Sequence, residues 1–296
     1  MAAQDRSLYE IFEIRSNNGQ KVVDLIGGVV SFSYFENVLS PMITAQVIIS
    51  NTGNVVTDGE GEISSIYNGL PINGGEKVSI KIPPTGDGPG LEFTESNGNE
   101  LFVASITNVL IDEGRETFIL NLVSREAITN ETVRVGKKFP SSEKISDSIV
   151  EIIQNYLVSE KDIDVDPTQN PYGFIGNLRK PFYLLTWLAS KSVPAEVGGE
   201  SSTAGYFFYE TKDGYHFKSV DNLIRQEPFE VEYTYSPGIV DTQDPMKDYK
   251  ILEYSTTRNQ KLIENLQRGA YCSYRMYFNP VHSTFTTPEQ AIFKVS

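Results

Sequence analysis

Through most of the first 125 residues apolar and polar positions alternate every second residue, the period of a strand with one buried face. Val78, Ile80 and Ile82 interleave with Lys77, Ser79 and Lys81, and Met42 to Ser50 is denser still, with Ile43, Val47, Ile48 and Ile49. Leu101 to Ile111 and Thr117 to Val123 flank Asp112, Glu113 and Gly114, the residue types that a tight reversal uses for left-handed backbone angles. A hairpin is predicted there, with Phe118, Leu120 and Leu122 sharing a face with Phe102, Ala104 and Ile106. Asn51 to Gly61 and Pro83 to Asn99 are polar, rich in glycine and too long for simple hairpin turns, so both are expected as loops.

The period then lengthens. Ile145, Ile149, Ile152, Ile153, Tyr156 and Leu157 recur at helical spacing, which predicts a helix over Ser142 to Leu157 with Glu143 suiting the dipole of its first turn. A second helix is expected to open at Pro181, whose missing N–H suits a first turn, and to end by Pro194. Its buried face is Phe182, Leu185, Leu188 and Ala189, with Trp187 set between it and the next sheet. Tyr206 to Glu210 and Tyr215 to Val220, joined across Thr211 to Gly214 with an Asp-Gly pair, predict another hairpin. Strands return in Val231 to Tyr235, Tyr249 to Tyr254 and Ala270 to Phe278, with a short helix or turn at Lys261 to Gln267. Pro237, Gly238 and Pro245 mark a linker. The chain therefore reads as mainly β with an α+β middle domain.

A length of 296 residues allows two or three compact units. Composition, 39% hydrophobic and 11% aromatic, is that of a folded, strand-rich protein. The net charge of −14 gives no general grip on nucleic-acid phosphates, and the one basic cluster, Arg134, Lys137 and Lys138, reads as a solvated surface. Cys272 is alone, so no intrachain disulfide forms. The start, Met1 to Glu10, lacks the basic-then-apolar pattern of an export signal, so a soluble chain made without export is expected.

Candidate chemistry is sparse. His216 falls in a predicted hairpin strand, where it reads as structural, and it is far in sequence from His282. Two such histidines and Cys272 make no familiar zinc site, and nothing around Cys272 or His282 resembles a nucleophile motif. Asp162, Asp164 and Asp166 are spaced like the start of a calcium loop, but the sixth position is Pro167 and the twelfth Gly173, which leaves a solvated acidic turn. Gly136 and Lys137 end a segment in which Glu131 occupies the first glycine of a phosphate loop and Phe139 follows Lys138, so it is not one. Gly27 and Gly28 lack the third glycine of a dinucleotide turn and mark a bend or bulge. Asn130, Glu131 and Thr132 form a glycosylation pattern without meaning in a chain that is not exported. No catalytic, cofactor-binding or metal-binding residue is assigned, and no cofactor.

Four stretches, in this order, carry a family resemblance: DLIGGVVSFSYFENVLSPMITAQVIIS (Asp24 to Ser50), GLPINGGEKVSIKI (Gly69 to Ile82), ELFVASITNVLIDEGRETFILNLVSREAITNETVRVGKKF (Glu100 to Phe139), and PFYLLTWLASKSVP (Pro181 to Pro194) running on to GYFFYETKDGYHFKSVDNLIRQEP (Gly205 to Pro228). The chain resembles the central baseplate hub protein of T-even-type contractile-tailed phages. That resemblance implies tail-tube-like β-barrel domains: a first barrel over 1–128, the α+β middle over 129–235 and a partial second barrel over 236–296. It also implies a homotrimer, a ring of pseudo-sixfold symmetry joining the hexameric tail tube protein to the central spike protein among other baseplate proteins. DNA would pass through it without specific binding. The location implied is the virion tail, after assembly in the host bacterial cytoplasm, and no enzymatic activity is expected. The loops Asn51 to Glu62 and Pro83 to Asn99 are candidate contacts with neighbouring subunits, by analogy and length. Two other readings are the hub of a type VI-like injection machine and a β-rich cell-wall hydrolase or glycan-binding module.

Overall fold

The structure, a computed structural model, describes residues 8–52, 56–57, 63–70, 72–84, 90–112, 115–195, 205–228, 233–237, 250–251, 253–257, 261–267, 272–274, 278–280, 283–285 and 292–294. The elements are β1 (Ile11–Arg15), β2 (Val22–Asp24), β3 (Val29–Phe35), β4 (Thr44–Thr52), β5 (Val56–Thr57), β6 (Ile63–Ser64), α1 (Ile66–Gly69), β7 (Lys77–Ile82), β8 (Leu91–Phe93), β9 (Leu101–Asp112) and β10 (Arg115–Ser124), then α2 (Arg125–Thr132), β11 (Lys138–Phe139), α3 (Ile145–Ile152), β12 (Ile163–Val165), β13 (Phe174–Ile175), α4 (Pro181–Ala189), β14 (Tyr206–Thr211), β15 (Gly214–Ser219) and α5 (Val220–Arg225). After these come β16 (Thr234–Tyr235), β17 (Lys250–Ile251), α6 (Leu262–Gln267), β18 (Cys272–Tyr274), β19 (Phe278–Asn279), β20 (Thr284–Phe285) and β21 (Ile292–Lys294). The chain is mainly β, with helices concentrated in the middle. Two compact units divide it, one built from 1–196 and 204–220, the other from 197–203 and 221–296.

The first core lies inside one sheet, ordered β2-β1-β7-β9-β10-β4-β3 with β8 also on β7. Laid flat, the end strands of that order would stand about 29 Å apart. Yet β2 and β3 are consecutive in the chain, joined by Leu25–Gly28, a link that lets Asp24 and Val29 stand at most about 18 Å apart. The sheet must therefore curl until its edges nearly meet. Phe12 on β1 does meet Phe32 on β3 edge to face at 5.8 Å, and Leu25 N–H donates to the Phe12 carbonyl at 2.7 Å. Gly27 and Gly28 lie in the 3-10 turn Ile26–Gly28 that makes this link. The barrel-like shell is filled by Phe12, Ile14, Val78, Ile80, Phe118 and Leu120, all fully buried, with their neighbours.

Two expectations change here. Across the hairpin Asn121 faces Ser105 but Leu122 faces Val103, so Ala104 is a bulge. The buried phase of β9 shifts by one: Leu101 and Val103 are buried, whereas Phe102 is half-buried and Ala104 exposed. Pro83 to Asn99 is not loop throughout, because β8 pairs with β7 and Phe93 is fully buried; residues 85–89 lie outside the described part. Asn51 to Glu62 likewise includes β5, which pairs with β6, while 53–55 and 58–62 lie outside it.

The second core gathers α3, α4, Val135, Phe139 and the sheet β12-β15-β14, in which β12 is parallel to β15. The first helix begins at Ile145, so Glu143 precedes it and Asp147 is the acid of its first turn. Pro181 opens α4 as expected, and the Asn130 side chain accepts the Phe182 N–H at 2.8 Å, satisfying one free donor of that first turn. Trp187 packs on Tyr172 and Phe174, at 5.7 and 5.8 Å between ring centroids, while the ring of α4 that meets the rings of the following hairpin is Phe182, at 6.2 Å from Phe208 and 6.5 Å from Tyr215.

After α3 the helix widens into a π turn over Ile153–Leu157 and stops at Val158, which has φ 52° and ψ 44°. A β-branched residue is strained there, and Val158 is 53% exposed, so it gains little from packing. Val158→Gly is expected to stabilise the protein by about 1 kcal/mol. A rise in midpoint temperature would show it, and an unchanged or lower midpoint would count against the strain.

In the second unit β16 runs parallel to β17, and β18 with β21 and β19 with β20 form antiparallel pairs. The expected short helix is α6. Cys272 starts β18. His282, Gly238, Pro245 and parts of the three predicted C-terminal strands lie outside the described residues.

Candidate functional site

Within the first unit the barrel meets the α+β part at a buried cluster of three charges. Glu210 ends the inward phase of β14 after Tyr206 and Phe208. Its carboxylate accepts the Ile43 N–H of the barrel at 2.9 Å and the Ser124 hydroxyl, at the end of β10, at 2.8 Å. Lys161 Nζ donates to Glu210 at 2.6 Å and to Glu126 of α2 at 2.8 Å, and the Ser159 hydroxyl donates to Glu126 at 2.6 Å. These charged side chains are nearly or fully out of water. Burial works to lower the Lys161 pKa, but the two carboxylates outweigh it and hold it above the ordinary lysine value. Burial raises the Glu210 carboxyl even though Lys161 pulls it down, and it pushes the Tyr215 hydroxyl well above its usual range. The Tyr215 ring lies under the ammonium, 5.8 Å from its centroid. A second tie runs through Glu36, which accepts from the Tyr34 hydroxyl at 2.6 Å and from the Lys212 N–H in the β14–β15 turn at 2.7 Å.

One carboxylate of this cluster holds the barrel, β14 and Lys161 together, and Glu126 and Lys161 also border a cavity of about 430 Å³ whose lining includes Glu95, Arg125, Glu160 and Asp213. Lys161, Glu126 and Glu210 were not singled out from the sequence. A signal was there in Glu210, a charge on the buried parity of an alternating strand.

The residues weighed in the sequence fall elsewhere. Asp164 within β12 and Asp166 just after it pair with Lys218 at 2.5 and 3.2 Å, and the Asp162 carbonyl accepts the Tyr215 N–H. The acidic triplet is thus an edge strand tied to its neighbour, neither a solvated turn nor a cation loop. Burial would lower the Lys218 pKa, but Asp164 and Asp166 raise it. His216 is held between Thr211 at 2.8 Å and Asp164 at 3.5 Å and stacks on Tyr209, a structural histidine as expected. Arg134 donates to carbonyls at the end of α2, Lys137 pairs with Glu151, and Lys180 pairs with Glu131. Among the described residues no three His, Cys, Asp or Glu side chains are grouped to hold a metal ion, and no helix is long and apolar enough to cross a membrane.

What the first unit offers to a partner is an edge. No strand pairs with the outer side of β3 among the described residues. Its sequence, VVSFSYF, has no charge and no proline, and Val30 stands 64% exposed. Folded monomers commonly guard such an edge with charges, proline or a covering loop, because open N–H and C=O groups invite pairing.

No protein-family model matches the chain, and no curated protein matches it. Among solved structures it is similar to the 43 kDa tail protein of prophage MuSo2 from Shewanella oneidensis, with 11% identity and a TM-score of 0.45 over 71% of this chain and 54% of that one. It is similar to a tail protein from Neisseria meningitidis, with 12% identity and a TM-score of 0.42 over 70% and 49%. A component of the E. coli type VI secretion system gives 8% and 0.36 over 72% and 46%. The chain spans about half the length of the structures it matches.

Proposed function

We propose that this chain is a structural subunit of a contractile-tail baseplate hub. Three copies close into a ring of pseudo-sixfold symmetry that joins the hexameric tail tube to the trimeric spike and borders the DNA channel. Each copy supplies the barrel of its first unit and, from 236–296, part of a second. The ring belongs to the virion tail and is put together in the host bacterial cytoplasm. The chain has no enzymatic role in it.

The observation that carries this reading is the open barrel. Its sheet curls until Phe12 touches Phe32, and the seam ends in a seven-residue strand, bulged at Val30, that carries no charge or proline and has no strand on its outer side among the described residues. A strand of that kind is completed by another chain, and copies joined head to tail around an axis form a ring when the rotation closes. The resemblance of the ordered sequence segments to hub proteins supports a ring of that kind.

The test is the solution mass of the full chain and of Val30→Lys. The natural chain is expected to form a trimer. Val30→Lys, a charge on the exposed edge, is expected to yield monomers whose stability stays within about 0.5 kcal/mol of the natural chain. A natural chain that remains monomeric at every concentration, alone and with a spike protein, would overturn the ring.

A further inference from the structure

Beside α2 the first unit holds an open apolar pocket of about 700 Å³, walled by Met42, Val103, Val123, Ala127, Ile128 and Phe182. Two features of the barrel keep it open. Ala104, the bulge of β9, adds only a methyl group to the lining, and the turn at Gly74 and Gly75, with φ of 99° and 89°, adds bare backbone. The polar groups of the lining are already engaged. The Asn130 side chain accepts the Phe182 N–H, the Thr132 hydroxyl donates to the Thr129 carbonyl at 3.0 Å, and Glu131 pairs with Lys180. What is left for an occupant is apolar contact, flanked by two cations: Lys180, and Arg134, which donates to the Glu131 carbonyl at 3.0 Å.

The far end of the same hairpin is an apolar knob. Leu110 and Ile111, near the end of β9, stand 69% and 58% exposed. Neighbours on a strand point to opposite faces, so the tip is apolar on both. Before it, Asn108 has φ 53° where the ladder with β10 slips between Thr117 and Ile119, and a bulge of this kind bends a strand and re-aims its end. The reversal carries Asp112 and Glu113 against Arg115, a net negative charge, whereas Lys180 and Arg134 against Glu131 leave the flank of the pocket net positive. Leu110 lies about 24 Å beyond Val103 along β9, so the knob cannot reach the pocket of its own chain.

We propose that knob and pocket are the two halves of one contact, in which the β9–β10 tip of one copy seats Leu110 and Ile111 in the pocket of a second copy. The inference rests on the ring reading above. It gives that ring a heterologous contact between two unlike surfaces of the same chain, the kind that joins copies head to tail. A pocket of this size takes a ligand of drug size, which leaves ample room for two aliphatic side chains. Their burial drives the docking, and the opposite charges of tip and flank set its orientation.

The test is complementation between two variants of the full chain. Leu110→Asp with Ile111→Asp spoils the knob and leaves the pocket, while Ile128→Glu spoils the pocket and leaves the knob. Each alone is expected to associate about 100-fold more weakly than the natural chain and to run as a monomer. Mixed, they are expected to form a dimer of one of each and nothing larger, because a single intact contact remains. Variants that keep the trimer mass, or a mixture that stays monomeric, would overturn the contact while the ring stands. A natural chain that is itself monomeric ends the ring reading and the contact with it. If either variant unfolds at lower urea than the natural chain, cross-linking decides. In chains carrying Cys272→Ser, Ile111→Cys mixed with Ile128→Cys is expected to give a disulfide-linked pair on mild oxidation, whereas Ile111→Cys mixed with Val158→Cys is not. No linked pair in the first mixture, or equal yields in the two, would overturn the contact.

Discussion

Replacing Lys161 by methionine is expected to destabilise the first unit by about 3–5 kcal/mol at neutral pH, the range for removing one partner of a buried ion pair. Lys161 is the one cation between Glu126 and Glu210, with side-chain exposures of 9%, 4% and 0%. Without it two carboxylates face each other in a medium that screens them poorly. Glu210→Gln should behave quite differently. The amide keeps an acceptor for Ile43 and Ser124 but sets its NH2 against the Lys161 ammonium where Oε1 now accepts, while the cluster passes from one net negative charge to neutrality, so a loss of about 1–2 kcal/mol, smaller than that of Lys161→Met, is expected. The pH dependence follows from direction alone. Glu210 titrates above its ordinary 4.5 in the folded protein, so the folded state binds its proton more tightly than the unfolded one. The stability linked to that group is full below its unfolded pKa and falls as pH rises through the folded value. Glu210→Gln, relative to the natural chain, should therefore look better at neutral pH than at pH 4. Lys161 also has a raised pKa, so its contribution persists to alkaline pH and is lost only as pH climbs past the folded value. Urea unfolding at several pH values measures all of this. In the double variant with Glu210→Gln, Lys161→Met should cost less than it does alone. If both single variants were equally harmful, the charge argument would be wrong.

Much of the barrel was legible because parity on a strand is a strong constraint: one buried face fixes every second residue. Phe118, Leu120, Leu122, Val78 and Ile80 followed from it directly. The hairpin register did not, because the Ala104 bulge shifts the phase of β9 without any glycine or proline to announce it. β8 was hidden in a stretch that reads as loop, since three residues, Leu91–Phe93, are too few to show a period. The charge cluster was harder still. Lys161 lies 35 residues from Glu126 and 49 from Glu210, and only the three-dimensional meeting of barrel and α+β part explains why each is buried. What local pattern could have shown was a carboxylate out of phase: Glu210 after Tyr206 and Phe208, and likewise Glu116 before Phe118, whose carboxylate accepts the Ile66 N–H at 2.8 Å. The acidic triplet misled for a related reason. Asp164 and Asp166 read as a turn until Lys218, from a strand more than fifty residues away, supplies their partner.

Gly214→Ala is expected to be about as damaging as the loss of Lys161, and for a reason that composition cannot show. Gly214 has φ 138°, and an added Cβ would stand 2.3 Å from the Asp162 carbonyl oxygen and 3.0 Å from its carbon. Those are backbone atoms, held by the bond from Tyr215 N–H to the same oxygen at 2.8 Å, so no side-chain rotation can make room. Either β12 moves away from β15 or the β14–β15 turn deforms. If β12 moves, Asp164 and Asp166 leave Lys218, and Lys161, the residue before Asp162, is drawn out of its place between Glu126 and Glu210. A destabilisation of about 3 kcal/mol or more is expected in urea. Gly19 provides the control, since it too has a positive φ, 69°, but nothing within 4 Å of its would-be Cβ. Gly19→Ala should carry only the left-handed backbone strain, about 1 kcal/mol. The difference between the two variants isolates the close approach of two backbones, and equal effects would mean that β12 is not anchored where its contacts with β15 put it.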